Sequence, residues 1–264
     1  MSGHSTYLVS DARGRRPAVV EPWEWCLGPE RMPEPTFAKL RINVSDKPMR
    51  VDIQIPPLTK YTQGFPAYWL KSMFISRLSE DHAATNALAS TYIRLVEAAM
   101  REYRAAAEAQ KEFWNTHHYV NLSAMNRSIA HFEHLITNMH RAIRCLRALR
   151  SNKQISMALK EGALHGKPRF NDDKVAGRLM EMRDTVHHFE EAILDGSRVP
   201  EQTSYVLNAS GPEILDDKDA GQTIKVLDRL AIGTLEVPFQ ELAEWLEEMG
   251  DYAQQITDYL PSHK

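Results

Sequence analysis

Between residues 122 and 146 the apolar positions alternate in steps of three and four: Leu122, Met125, Ile129, Phe132, Ile136, Met139, Ile143 and Leu146. That rhythm keeps one face of a helix against a packed seam. It predicts a helix over 121–150, with Asn121 and Ser123 near its start as side chains suited to the first free amides. Similar periods mark three more helices. Leu88, Thr91, Leu95, Ala98 and Ala99 share a face of one over 82–113, and positions 175, 179, 182, 186, 189 and 193 mark another over 173–195. Asn171, Asp172 and Asp173 offer that third helix a cap and first-turn acids, and Asp195-Gly196 offers a stop. The last, over 239–259, follows Pro238 and presents Leu242, Leu246, Met249, Ala253 and Ile256 on one side.

Elsewhere the period drops to two. Residues 37–44 and 49–55 alternate apolar and polar across Ser45-Asp46-Lys47-Pro48, the pattern of a hairpin near 37–55. Short β-like pieces at 203–207, 223–227 and 231–237 predict a small sheet near 203–237. Residues 1–35 carry Pro17, Pro22, Pro29, Pro33 and Pro35, which exclude a long helix, and Trp23 and Trp25, which imply that this irregular arm docks on the body. The expected architecture is therefore mainly α: a helical bundle with small β additions in one domain over 36–264, preceded by the arm.

Composition narrows the class. With 264 residues, 43% of them hydrophobic and 25% charged, the chain matches a soluble globular protein. It shows no signal-peptide run at its start and no apolar stretch long enough to span a bilayer, so the expected location is the cytoplasm, away from membranes. Cys26 and Cys145 are too few for a disulfide framework or a four-cysteine zinc site.

The formal charge of −3 argues against a protein that coats nucleic acid, but the charges are unevenly placed. Arg141, Arg144, Arg147, Arg150, Lys153, Lys160, Lys167 and Arg169 face only Glu161 across 135–170, whereas 236–260 holds seven acids and no Lys or Arg. The Arg141, Arg144, Arg147 and Arg150 stripe suits either phosphate contact or plain solvation, and residues 153–169 would extend it as a flexible basic flap. The acidic last helix could cover that surface in the same subunit or in a neighbour.

The stretch Met182-Arg183-Asp184-Thr185-Val186-His187-His188-Phe189-Glu190-Glu191 sets an arginine, an acid and a histidine beside a packed helix face. It resembles the Arg-(Asn/Asp)-x-x-x-His signature of HEPN domains, a family of helical bundles that includes metal-independent ribonucleases, with the likeness covering roughly 82–195. The resemblance implies attack by an RNA 2′-hydroxyl on the adjacent phosphate without metal or other cofactor. His188 would move protons, Arg183 would hold the phosphorane charge, and Asp184 would orient one of them. It further implies RNA as partner, a homodimer that brings two motifs together, and a role as a toxin or phage-defence protein, with an inhibitor protein as a further partner.

Arg183 and His188 are five apart, about 140° around an ideal helix, so they converge only if the helix starts late, bends or pairs with its twin. His187 shares the face of Arg183 and rivals His188 as the base. Two other readings stay open. The motif also suits a structural network in which Arg183 neutralises Asp184, Glu190 or Glu191, and the chain would then be a non-catalytic HEPN-like module binding a protein or nucleotide. His131, Glu133, His134 and His140 suggest a metal bundle, but none of the eleven histidines has a glutamate three residues before it, so no metal is expected.

Overall fold

Asn121 accepts a hydrogen bond from the Ala124 amide at 3.0 Å and so starts a helix at Leu122, while the Asn152 amide returns to the Ala148 carbonyl at its far end. A computed structural model describes residues 50–74, 83–115, 121–153, 155, 160–196, 213–216 and 223–259. All of them belong to the unit Asp46–Lys264. Its helices are α1 (Pro66–Phe74), α2 (Ala83–Trp114), α3 (Leu122–Ser151), α4 (Asp173–His187), α5 (Phe189–Leu194) and α6 (Phe239–Asp258). The protein is mainly helical, as the spacing predicts, and carries a small mixed sheet and a separate hairpin. None of the described helices is long and apolar enough to cross a membrane.

Helices α2 and α3 run antiparallel. Ser128 donates to Gln110 at 2.7 Å near their junction, and Asn152 reaches Thr85 at 3.3 Å at the opposite end. Helix α6 closes the core against α2, where the Tyr92 hydroxyl donates to the Met249 carbonyl at 3.0 Å. The approach there requires glycine, because a Cβ on Gly250 would stand 2.5 Å from the Tyr61 ring and 2.6 Å from the Met100 methyl. Phe132 of α3 stacks on Phe239 at the start of α6 with centroids 5.5 Å apart.

Helix α1 is an element that the spacing did not predict. Gly64 turns the chain at φ +69°, Pro66 opens the first turn, and the Glu97 carboxylate of α2 accepts from the Phe65 amide at 2.7 Å and the Trp69 indole at 3.1 Å.

The β strands are β1 (Arg50–Ile53), β2 (Glu213–Leu215), β3 (Thr223–Leu227), β4 (Arg229–Ile232) and β5 (Leu235–Pro238). Strand β3 is the centre of the first sheet, parallel to β1 with Arg50 opposite Ile224, and antiparallel to β2 with Ile214 opposite Ile224. Residues 231–237 read as one piece in sequence but form a turn, because Gly233 at φ +62° folds β4 onto β5 with Ile232 opposite Leu235. The arm over 1–35, the first half of the 37–55 hairpin and the piece at 203–207 lie outside the described residues.

Two helical faces differ from expectation. At the start of α3, Leu122 is 57% exposed and Met125 and Ile129 are only partly covered, while Ala124 and Ser128 take the buried positions. The predicted seam holds from Phe132 to Leu146, where neighbours exist on that side. In α2 only Leu95 and Ala99 of the predicted stripe are buried, Leu88, Thr91 and Ala98 being partly covered, and the buried arc runs instead through Ala89, Tyr92, Ile93, Val96 and Tyr103, because α2 packs on α3 and α6 together.

The predicted basic flap is also corrected in its described part. Leu164 and Phe170 are buried, the Arg150 guanidinium donates to the carbonyls of Leu164 at 3.0 Å and Gly166 at 2.9 Å, and the Tyr252 hydroxyl donates to that of His165 at 2.8 Å. These contacts dock residues 163–170 on the body.

Candidate active site

Helix α4 is held at its start by charge and by capping. Asp172 accepts from the Lys174 amide at 2.9 Å, and the Arg147 guanidinium of α3 reaches Asn171 Oδ1 at 2.7 Å, the Asn171 carbonyl at 2.9 Å and Asp173 Oδ1 at 2.9 Å. Leu179 and Met182 then enter the core, which places Arg183 at the margin of the α3–α4 seam. There Arg183 Nη2 pairs with Asp184 Oδ1 at 2.7 Å. Its Nε–H is buried and has no hydrogen-bond partner among the described residues, a state that costs about 1–3 kcal/mol when no acceptor is supplied.

His188 lies beyond the end of the helix. Its backbone, at φ −109° and ψ 25°, caps α4 through a hydrogen bond from its amide to the Asp184 carbonyl at 2.9 Å, and α5 begins at the next residue. The chain thus breaks within the motif, so the ideal-helix angle between Arg183 and His188 does not apply. The His188 ring points to Glu191 Oε2 at 3.0 Å, and its side chain is 60% exposed. Among the described contacts none joins His188 to Arg183. His187, the last residue of α4, is exposed.

A different histidine, His140 of α3, lies within the electrostatic reach of Arg183. It is 7% exposed. Burial, and then the positive charges of Arg183, Arg144 and Arg147, push its imidazole below the ordinary value, while the Asp184 carboxylate pulls the other way. Sequence reasoning placed His140 only among candidate metal ligands. The missed signal was the spacing 140, 144, 147, which sets it on one helical stripe with two arginines.

The basic stripe itself divides. Arg147 is committed to the start of α4, and Arg150 to carbonyls of residues 164 and 166, with its guanidinium 5.3 Å over the Tyr252 ring. Arg141 and Arg144 are exposed. The acidic face of α6 meets the basic segment within the same chain: Glu244 pairs with Arg169 at 3.1 Å, Glu241 with Arg178 at 3.3 Å, and the two Glu248 oxygens accept from the amides of Arg169 and Phe170. An open groove of about 540 Å³ runs between these elements, and its charges of both signs give it no preference for an anion.

His131 Nδ1 lies 2.7 Å from Glu102 Oε2 between α2 and α3, and His134 is exposed. Among the described residues no three His, Cys, Asp or Glu side chains gather as a cation would require. Comparison with family models, characterised proteins and solved structures finds no match to this chain.

Proposed function

We propose that this chain is a HEPN-like, metal-independent endoribonuclease of the toxin or phage-defence type, acting in the cytoplasm as a homodimer. The observation that carries the reading is Arg183: a guanidinium at the margin of the α3–α4 seam, tied by one nitrogen to Asp184 and holding a buried Nε–H without an acceptor among the described residues. Such a group suits a phosphate, whose oxygens accept from paired donors and gather charge in the transition state.

In the reaction the RNA 2′-oxygen bonds to the adjacent phosphorus as its proton passes to a base. The bond from phosphorus to the 5′-oxygen then breaks, and that oxygen receives a proton, leaving a 2′,3′-cyclic phosphate and a 5′-hydroxyl. His188, exposed just beyond the end of α4, serves as the proton carrier. Arg144 and Arg141, exposed on α3, would lead the RNA backbone to the site.

A second reading has a specific observation behind it. Arg183 and His188 each have a carboxylate partner in their own segment, Asp184 and Glu191, as a structural network would require. On that reading the chain is a binding module for a protein or nucleotide.

Cleavage of RNA in excess EDTA decides between them. The enzyme yields cyclic phosphate ends, and Arg183→Ala and His188→Ala each abolish them with the fold intact. RNA left whole, or cleavage indifferent to Arg183→Ala, leaves the binding module.

A further inference from the structure

We infer that Glu191 is a positioning residue for the proposed reaction: it keeps the proton of neutral His188 on Nδ1, so that Nε2 is the atom that takes the proton of the RNA 2′-hydroxyl. The inference rests on the ribonuclease reading for the source of that proton, and on a direct contact for the state of the ring.

The contact follows from the break in the chain. His188 closes α4 and stands at the N-cap of α5, and Glu191 is three residues on, in the first turn of α5. That spacing lets two side chains meet at the start of a helix. His188 Nδ1 lies 3.0 Å from Glu191 Oε2. An ionised carboxylate has no donor to give, so the hydrogen of this bond belongs to Nδ1. The neutral ring then carries its lone pair on Nε2, the reverse of the form that predominates in a free histidine side chain. The His188 side chain is 60% exposed, and none of the described residues hydrogen-bonds its Nε2. His187, the rival base, is exposed at the last residue of α4 and has no carboxylate partner among the described residues.

In the reaction Nε2 takes the 2′-hydroxyl proton as the 2′-oxygen bonds to phosphorus. The ring becomes an imidazolium whose Nδ1–H still faces the Glu191 carboxylate. The 5′-oxygen leaves with the electron pair of its bond to phosphorus and takes a proton from solvent. A second pair supplies a reference that does not involve Glu191: His131 Nδ1 lies 2.7 Å from Glu102 Oε2, and Arg101 reaches the other oxygen at 3.3 Å.

The test reads the tautomers directly. Ring nitrogens of the isotope-labelled full chain are correlated with ring protons by NMR at about pH 9, above the ordinary imidazole value, and His188 is assigned by its loss in His188→Gln. The parent should show His188 mainly in the Nδ1–H form and His187 mainly in the Nε2–H form. Glu191→Ala changes a side chain that is 78% exposed and leaves packing alone. It should return His188 to the Nε2–H form while His131 stays unmoved, and should lower kcat for RNA cleavage about tenfold with KM unchanged. A parent His188 mainly in the Nε2–H form, a tautomer that ignores Glu191→Ala, or an unchanged kcat overturns the inference. The ribonuclease reading fails separately: the expected tautomer in a protein that leaves RNA whole keeps the oriented ring and removes its reaction. Cleavage that needs His188, with a tautomer indifferent to Glu191, does the reverse.

Discussion

Helix α6 and the α4–α5 pair flank the same segment of chain and are stabilised in different ways. Helix α6 buries a continuous stripe, Leu242, Leu246, Met249, Ala253 and Ile256, and turns its acids toward partners on the other side. Helix α4 buries only Ala176, Leu179 and Met182 and carries paired charges along its length, at Asp173, Arg178 and Arg183, and after the break at His188 the apolar Ile193 and Leu194 of α5 face solvent. The first is a scaffold whose position follows from apolar area. In the second, charge and capping decide where the side chains go, and such a balance can respond to a ligand.

The largest difference between the two should appear on introducing a carboxylate. Leu246→Asp places an unpaired charge in a fully buried position and should lower stability by roughly 3–5 kcal/mol, enough to unfold much of the protein at ambient temperature. Ile193→Asp, at a position 42% exposed, should change stability by no more than about 0.5 kcal/mol. Thermal melts followed by circular dichroism check both, and equal melting temperatures would erase the contrast.

Glycines sharpen it. Gly250→Ala in α6 drives a methyl into the Tyr61 ring and should destabilise by about 1–3 kcal/mol. Gly177→Ala in α4 meets nothing within 4 Å and should stabilise by about 0.5–1 kcal/mol, because alanine has less freedom to lose in a helix. Denaturant midpoints of opposite sign are the expected result.

A smaller effect follows pH. The His140 imidazole in the α3–α4 seam titrates below its ordinary value of 6.5, so as pH falls the unfolded chain takes the proton first. Its contribution to stability is present above the ordinary value and is lost as pH falls toward the folded one. His140→Gln should flatten that part of the stability profile, measured by urea unfolding between about pH 8 and 5. A profile unchanged by the substitution would mean that neither burial nor the nearby arginines act on the ring.

The smallest effect belongs to the acidic face of α6. Glu241→Gln breaks an ion pair with Arg178 in which both side chains are about half exposed, and should cost less than about 1 kcal/mol, vanishing in high salt.

How much of this was legible in the sequence follows from what sets each element. The four long helices and their caps could be read from spacing because burial on one side imposes a period, and Asn121 and Asp172 both cap as expected. Leu122, Met125 and Ile129 continue that period on α3 past the point where a neighbour covers them, and periodicity alone cannot reveal where a neighbour ends. The motif gave Arg183 and Asp184 as a pair. It could not give His140, which is remote in sequence and comes within their electrostatic reach only through the packing of α3 on α4. Nor could it give the break at His188, since the apolar rhythm runs on through positions 189 and 193.

The parallel pairing of β1 with β3 bears on how the chain acquires its fold. Arg50 and Ile224 are separated by α1 to α5, so the ladder between them closes a very long loop, whereas α2 and α3 can zip together from a short connection. On a ribosome adding roughly 5–20 residues per second, β1 emerges about 10–30 seconds before its partner strand exists. The helical hairpin has that interval to form first, and β1 must wait for a sheet that only the last part of the chain can complete.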